Sequence, residues 1–158
     1  YVPAKWVALM AATEKLACAQ TLDDVTEIVR GAARGVSGAE GITFVRLLND
    51  RCNYVAEDAT GPLWEGQNFP KEQCVSGWAM MHGEVTIIPD IYDDDRVPVA
   101  AYSQTFVKSM VMTPIGPKPA PAAIGAYWSE KGDPTEETLT LLGLLARHVE
   151  MAMRNIAL

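Results

Sequence analysis

The amino-acid sequence predicts a single α+β domain built on an antiparallel sheet. Its 158 residues are enough for one ordinary domain with a core of its own. Helical periodicity appears at both ends of the chain, and strand-like segments joined in pairs by short turns lie between them. Strands joined as hairpins must run antiparallel, so the helices are expected to pack against an antiparallel sheet rather than alternate with parallel strands.

Two helices are predicted to open the chain. Residues 4–18 repeat apolar side chains at nearly the helical period. Thr21 is a suitable N-cap for a second helix, and Asp24 stands three residues later, in the position of the capping-box acid. Apolar positions then continue at helical spacing, with Gly35 near the predicted end of this helix.

The hydrophobic period changes from 3.6 to two at residue 41. Residues 41–48 alternate and are rich in β-branched and aromatic side chains, which is typical of a strand. Asn49 and Asp50 are turn formers, and residues 52–56 form the predicted return strand. This part of the sequence therefore predicts a hairpin.

The middle of the chain combines short elements with two long connections. Residues 57–73 are polar and contain Gly and Pro, which predicts a loop, and a short helix is predicted at 75–82. A brief strand follows at 85–88. Residues 90–107 show no regular period, and connections of this length usually have a function, so we expect this loop to cover a site.

A second hairpin and a long helix complete the prediction. Residues 109–115 and 122–128 are strand-like and flank a Pro-rich turn. Asp133 is the predicted N-cap of the last helix, with Pro134 at its first position. The helical pattern then runs to the end of the chain.

Charge and composition exclude several classes of partner. Asp and Glu number 20 and Lys and Arg 13, giving a formal net charge of −7 and no basic patch for nucleic acid. No apolar run is long enough for a signal peptide or a membrane span, which predicts a cytoplasmic protein without direct membrane insertion. Because the sequence lacks an initiator Met, we interpret residues 1–158 as one domain of a longer cytosolic protein.

Residue types that carry chemistry are sparse. Cys18, Cys52 and Cys74 are scattered in the sequence, which favours a reducing compartment over a disulfide framework or a zinc site. His82 and His148 are expected to be ordinary helix residues. The sequence predicts no metal site, no cofactor and no enzymatic activity for this domain.

Aromatic and Met side chains, together with Cys74, indicate a pocket for a small organic molecule between the sheet and the long loop. The alternative is that these side chains form only the core. The predicted lining residues are Cys74, Trp78, Tyr92, Tyr102, Phe106, Met110, Met112 and Tyr127.

The last helix has two apolar faces, which predicts packing against the sheet and against a second copy of the chain. The alternative is a helix buried on two sides within its own domain. The predicted dimer seam combines residues of the two terminal helices, namely Trp6, Leu9, Leu142, Ala146, Val149, Met153 and Ile156.

Several motifs in the second half of the chain resemble those of the GAF domain family, small-molecule sensing modules of bacterial signalling proteins. They include residues 74–79, 83–85, 88–91, 94–96, 106–115 and 123–128, and the last helix through Asn155. The resemblance implies a GAF (PAS-like) fold, with a central sheet of five to six strands. Terminal helices would pack on one face, and the short helix and long loop would cover the other.

The residues of these motifs most resemble those of GAF domains that precede kinase cores. This resemblance implies a covalently linked output domain in a two-component sensor histidine kinase. The Asn-Lys-Phe-Asp-Glu signature of cyclic-nucleotide-binding members is not found in order, nor is the bilin-attaching Cys-His pair. Members that reduce free methionine sulfoxide use cysteines on both sides of the pocket, and residues 90–130 contain none. Two alternatives stay open: a ligand-free structural dimerisation module, and a thiol-dependent reductase of free methionine sulfoxide.

Overall fold

The structure, a computed structural model, describes residues 1–157 and consists of five helices and six strands. The helices are α1 (Ala4–Ala17), α2 (Leu22–Ser37), α3 (Val75–His82), α4 (Val99–Tyr102) and α5 (Glu136–Ala157). The strands are β1 (Gly41–Leu48), β2 (Arg51–Ala59), β3 (Asn68–Pro70), β4 (Thr86–Ile88), β5 (Ser109–Ile115) and β6 (Ala122–Trp128).

All six strands form one antiparallel sheet, in the order β3-β2-β1-β6-β5-β4. The two predicted hairpins are adjacent in this sheet because β1 pairs with β6, which joins the strands from the two halves of the chain. The predicted α+β class and the antiparallel sheet are confirmed. No helix within residues 1–157 is both long and apolar enough to cross a membrane.

The helices α1, α2 and α5 form a layer on one face of the sheet. The capping box predicted for α2 is present, since the Thr21 hydroxyl accepts from the Asp24 amide at 3.1 Å and the Asp24 carboxylate accepts from the Thr21 amide at 3.2 Å. This helix continues past Gly35 and ends at Ser37, where Gly38 adopts a left-handed conformation with φ 73°. Aliphatic side chains from these helices and the sheet form a core here, which we call the helix-side core.

A bulge in the first hairpin changes which way its side chains point. Asn49 and Asp50 have φ of 54° and 59°, as a tight two-residue hairpin turn requires. The register between β1 and β2 shifts at Phe44 and Val45. Beyond the shift, Tyr54 points to the opposite side of the sheet from Ala56, although the two residues are separated by an even number of positions.

Other boundaries differ from the sequence prediction. The predicted loop 57–73 contains β3, and β2 extends to Ala59. The N-cap of α5 is Thr135, whose hydroxyl accepts from the Thr138 amide at 3.1 Å, so the prediction of Asp133 was wrong. Thr135 lies two residues after Asp133, and its hydroxyl satisfies a free amide of the first helical turn as the Asp133 carboxylate would have done. The last residue of the predicted final helix, Leu158, lies outside the described residues.

The residues of the predicted dimer seam pack within their own domain. Leu9, Leu142, Ala146 and Val149 are buried in the helix-side core of a single chain. Trp6, Met153 and Ile156 are partly buried against the same core. The α5 helix packs on α1 and α2 as well as on the sheet, so its two apolar faces are explained by burial within one chain. The assignment of the four buried residues to a seam with a second copy was wrong, whereas a role of Trp6, Met153 and Ile156 in a dimer stays a prediction.

Candidate functional site

The face of the sheet opposite the helical layer is covered by α3, α4 and the irregular segments around them. Side chains from this cover and from β1, β2, β5 and β6 form a second core, which we call the cover-side core. The buried members of the helix-side core are aliphatic apart from Phe44, whereas those of the cover-side core include several aromatic, sulfur-containing and hydroxyl groups. These are Cys52, Tyr54, Trp64, Cys74, Met80, Tyr102, Met110, Met112 and Tyr127.

An aromatic cluster lies at the centre of the cover-side core. The Trp64 ring is surrounded by three tyrosine rings, with centroid distances of 4.6 Å to Tyr102, 5.3 Å to Tyr127 and 5.5 Å to Tyr54. Their tilted and edge-to-face arrangements are those that aromatic quadrupoles favour. The Trp64 indole therefore fills the space between sheet and cover at this point.

The loop after β2 holds Trp64 in place through one carboxylate. Glu57 accepts hydrogen bonds from the backbone amides of Leu63, Trp64 and Glu65 at 2.7 to 3.0 Å. The Trp64 indole N–H in turn donates to the Ala101 carbonyl in α4 at 2.9 Å. This bond ties the aromatic cluster to the cover.

Polar atoms in the cover-side core are paired with one another. The Tyr54 hydroxyl is 3.0 Å from the Ser76 hydroxyl, and the Tyr127 hydroxyl is 2.8 Å from that of Thr43. The Tyr102 hydroxyl donates to the Met110 sulfur at 3.4 Å. Burial raises the pKa of all three tyrosines, so their hydroxyls stay neutral.

Two of the three cysteines meet at the edge of this core. Cys52 on β2 is fully buried, and Cys74, the N-cap of α3, is 6% exposed. The Cys52 thiol lies within hydrogen-bonding reach of the Cys74 sulfur, which also accepts from the Ser76 hydroxyl at 3.4 Å. These hydrogen bonds lower the pKa of Cys74 to about 7, and the bond from Cys52 has the largest effect. Cys52 and Cys74 are scattered in the sequence, yet both belong to the cover-side core.

Little empty space remains between sheet and cover. A void of about 10 Å³ lies beside Cys74, Trp64 and Tyr102, which is room for one water molecule. Larger hollows are found at the surface, including about 470 Å³ beside the Pro-rich turn and about 300 Å³ at the start of α5. Neither hollow is lined by the Trp64 cluster or by Cys52 and Cys74. Within residues 1–157, no three His, Cys, Asp or Glu side chains are grouped to hold a metal ion.

The structure brings together most of the predicted pocket residues. Cys74, Tyr102, Met110, Met112 and Tyr127 belong to the cover-side core, and Phe106 packs at its margin. Because the space they enclose is filled, the alternative that they form a core describes this state of the molecule.

Two predicted pocket residues lie elsewhere. Trp78 is half-buried on the outer side of α3, stacked on His82 at 3.9 Å with the Arg96 guanidinium 4.5 Å from its ring. Tyr92 is 51% exposed, with the Lys108 ammonium 5.4 Å from its ring. Their placement in the pocket was wrong, because helix and loop geometry turns both rings away from the sheet.

The sequence analysis did not identify three residues that are central to the cover-side core. Trp64 lies in a stretch interpreted as a polar loop, and Tyr54 and Cys52 lie in a strand whose inward face was not determined. The alternation of Cys52 and Tyr54 was the signal available, since both occupy the same face of one strand.

A six-stranded antiparallel sheet with a helical layer on one face and a covered interior on the other is the architecture of GAF domains. The chain belongs to the GAF domain family, whose sequence profile, described as "GAF domain", matches residues 19–154. No curated protein sequence matches this chain significantly.

Solved structures with this fold include proteins of different activities. The GAF domain of an Acinetobacter phosphoenolpyruvate-protein phosphotransferase is similar with a TM-score of 0.82 and 13% identity, covering 99% of this chain and 96% of that one. A free methionine-R-sulfoxide reductase from Neisseria meningitidis in complex with its substrate has a TM-score of 0.81 and 15% identity, covering 97% and 90%. A phycocyanobilin-bound GAF domain from a cyanobacterial phytochrome has a TM-score of 0.78 and 18% identity, covering 99% and 97%. At these identities the likeness concerns the fold alone.

Proposed function

We propose that this chain is a cytoplasmic regulatory domain that admits a small aromatic or apolar molecule between its sheet and the α3–α4 cover. The observation that carries the proposal is the Trp64 cluster, an aromatic side chain enclosed by three tyrosines with neutral, buried hydroxyls. Such a mixture of apolar walls and few convergent donors suits a small organic ligand.

Uptake requires displacement of Trp64, because the remaining void of about 10 Å³ is too small for an organic molecule. The cover favours such a change. Its helix α4 has four residues, and the Trp64 indole is tied to it by the bond to Ala101. A helix this short has little stability of its own, so its position depends on packing. The phycocyanobilin-bound GAF domain supports the idea that this fold can accommodate an organic molecule.

Uptake would regulate an output domain only if the ligand binds two arrangements of the molecule with different affinities. The cover-side core contacts β1 and β6, whose opposite face carries α2 and α5. A histidine kinase core is the output domain that we propose, as the sequence motifs imply. The predicted homodimer stays a prediction.

The test is whether the space filled by Trp64 can hold a ligand. Trp64→Ala removes an indole-sized side chain from the cluster, and indole added to this variant is expected to bind and raise its melting temperature. Trp78→Ala is the matched control, because Trp78 lies on the outer side of α3, and indole should leave its melting temperature unchanged. A folded Trp64→Ala variant that binds no indole would contradict an interior site.

Native mass spectrometry of the wild-type protein completes this test. We expect protein purified without denaturation to carry an additional small mass that is lost on unfolding. The same spectra report whether the chain is a dimer. Absence of a bound mass, together with no indole binding by Trp64→Ala, would refute the proposal.

A thiol-dependent reductase of free methionine sulfoxide is a second candidate, favoured by the Cys52–Cys74 contact. In such a reaction Cys74 would take the sulfoxide oxygen as a sulfenic acid and release methionine. Cys52 would then displace that oxygen as water and form a disulfide. Release of methionine from the sulfoxide in the presence of dithiothreitol, lost in Cys74→Ser, would support this candidate. No turnover by the wild-type protein would remove it.

A further inference from the structure

We propose that Cys52 and Cys74 form a peroxide-sensitive pair of thiols that closes to an intramolecular disulfide between β2 and the start of α3. This inference goes beyond the proposed uptake of a small molecule and does not depend on it. It concerns the same two cysteines as the candidate reductase, but needs hydrogen peroxide in place of a sulfoxide substrate.

The positions of the two cysteines are set by different elements that converge. Cys52 lies on β2, opposite Phe69 of β3. Pro70 pairs with Arg51 in the same ladder, and its carbonyl oxygen accepts a hydrogen bond from the Cys74 thiol at 3.6 Å. The β2–β3 ladder therefore brings the residue before α3 against β2, independently of any property of the thiols.

The surroundings of Cys74 favour its thiolate. The Cys52 thiol, the Ser76 hydroxyl and the Gly77 amide all donate towards the Cys74 sulfur and lower its pKa, against the opposing effect of burial. The hydrogen bond to Cys74 and burial raise the pKa of Cys52, so the Cys52 thiol keeps its proton. The thiolate is the nucleophilic form of cysteine, and Cys74 is therefore the sulfur that reacts first.

Access to Cys74 is limited to small oxidants. The void beside it holds about 10 Å³ and is bordered by Phe69, Pro98 and Ala101. Hydrogen peroxide is a little larger than the one water molecule that such a void admits, so its entry requires a small opening at α4. Cys18 is exposed at the end of α1 in the helical layer and has neither of these surroundings.

The reaction with hydrogen peroxide is balanced by the two thiols. The Cys74 thiolate attacks one peroxide oxygen, the O–O bond breaks, and hydroxide leaves while Cys74 becomes a sulfenic acid. The Cys52 sulfur then attacks the Cys74 sulfur, and the S–O bond breaks. The departing hydroxide takes the Cys52 proton to form water. Two thiols supply the two electrons that reduce one peroxide.

Closure of the disulfide would alter the cover-side core. A disulfide bond is about 2.05 Å long, much shorter than a hydrogen-bonded contact between two thiols. Cys74 must therefore move towards β2. The Ser76 hydroxyl lies between Cys74 and Tyr54, at 3.4 Å and 3.0 Å, so this movement is passed to the aromatic cluster.

Treatment of the purified chain with hydrogen peroxide tests the inference. After unfolding and alkylation, the wild-type protein is expected to lose two hydrogen atoms in mass and two alkylation sites. Peptide mapping should place the crosslink between Cys52 and Cys74, and dithiothreitol should reverse it. Cys18→Ser is the matched control and should form the same crosslink at the same rate.

The two cysteines have different expected roles, which variants separate. Cys52→Ser should accumulate a sulfenic acid on Cys74 that dimedone traps, and Cys74→Ser should slow oxidation at residue 52 by about tenfold or more. Cys52→Ala and Cys74→Ala replace any Ser variant whose circular dichroism shows unfolding. A wild-type crosslink that involves Cys18, or no crosslink in folded protein, overturns the inference. Binding of indole by Trp64→Ala is unaffected by either outcome, so this proposal and the proposed function fail independently.

Discussion

The two faces of the sheet are packed with different chemistry. On the helix side, aliphatic side chains from α1, α2 and α5 meet Ile42, Phe44 and Ile124, and the elements are long, with 14, 16 and 22 residues per helix. On the cover side, aromatic, sulfur and hydroxyl groups meet two helices of eight and four residues.

This difference indicates a division of roles. Long amphipathic helices that bury one face contribute most of their stability through apolar burial, and such packing needs no polar partners. Short helices depend on individual contacts, such as the bond from Trp64 to Ala101. We therefore expect the helix side to set the global stability and the cover side to open locally at lower cost.

The largest expected effect is on the helix side. Val149 of α5 is 0% exposed, so Val149→Asp places an unpaired carboxylate in the helix-side core and should lower the free energy of unfolding by about 4 kcal/mol or more. Urea denaturation measures this loss. Met151→Asp is the control two residues along the same helix, where the side chain is 52% exposed, and it should be nearly neutral. Equal effects of the two substitutions would contradict the burial of Val149 within one chain.

A smaller loss of stability is expected when α3 is displaced from the Lys71 backbone against which it packs. A Cβ at Gly77 of α3 would lie 1.9 Å from the Lys71 carbonyl oxygen, so the backbone must shift. Gly77→Ala should lower the free energy of unfolding by about 2–3 kcal/mol. Gly143 of α5 has no neighbour within 4 Å of such a Cβ, and Gly143→Ala should stabilise the protein by about 1 kcal/mol. Urea denaturation of both variants would show opposite signs, and a stabilised Gly77→Ala variant would contradict this account.

The loop that carries Trp64 should respond more weakly. Glu57→Gln keeps one acceptor for the amides of Trp64 and Glu65 but loses the oxygen that accepts from Leu63 at 3.0 Å. We expect a loss of about 1 kcal/mol. Hydrogen exchange should become faster at residues 63–65 and in α4, while α5 is unchanged. Faster exchange throughout the protein would show that the cover is not a separate unit.

The smallest effect concerns pH. The pKa of Cys74 is lowered to about 7, so its thiolate is lost as the pH falls through that value. The rate of its reaction with hydrogen peroxide should fall about tenfold for each pH unit below the pKa, and should level off above it. Intact-mass kinetics at a series of pH values measure this.

Cys52→Ala provides the comparison for the pH profile. It removes the donor that lowers the pKa of Cys74 most, so the profile should move to higher pH. A profile that stays in place would show that Ser76 and Gly77 are sufficient to stabilise the thiolate.

Local patterns in the sequence determined the elements of this fold. The capping box at Thr21 and Asp24, the turn at Asn49 and Asp50, and the period-two segments of β5 and β6 depend on residues close in sequence. These features predicted the helices, both hairpins and hence an antiparallel sheet. Neither the bulge that separates Tyr54 from Ala56 nor the position of Trp64 has such a local signal.

Tertiary structure decided which apolar face meets which partner. A hydrophobic stripe records that a residue is buried but not by what, so Val149 and Leu142 were assigned to a second copy when α1 and α2 already cover them. In the same way, Cys52 and Cys74 are distant in sequence and are brought together only by the β2–β3 ladder. Burial is a property of local composition, whereas contact between distant side chains depends on register and on how the chain closes around its sheet.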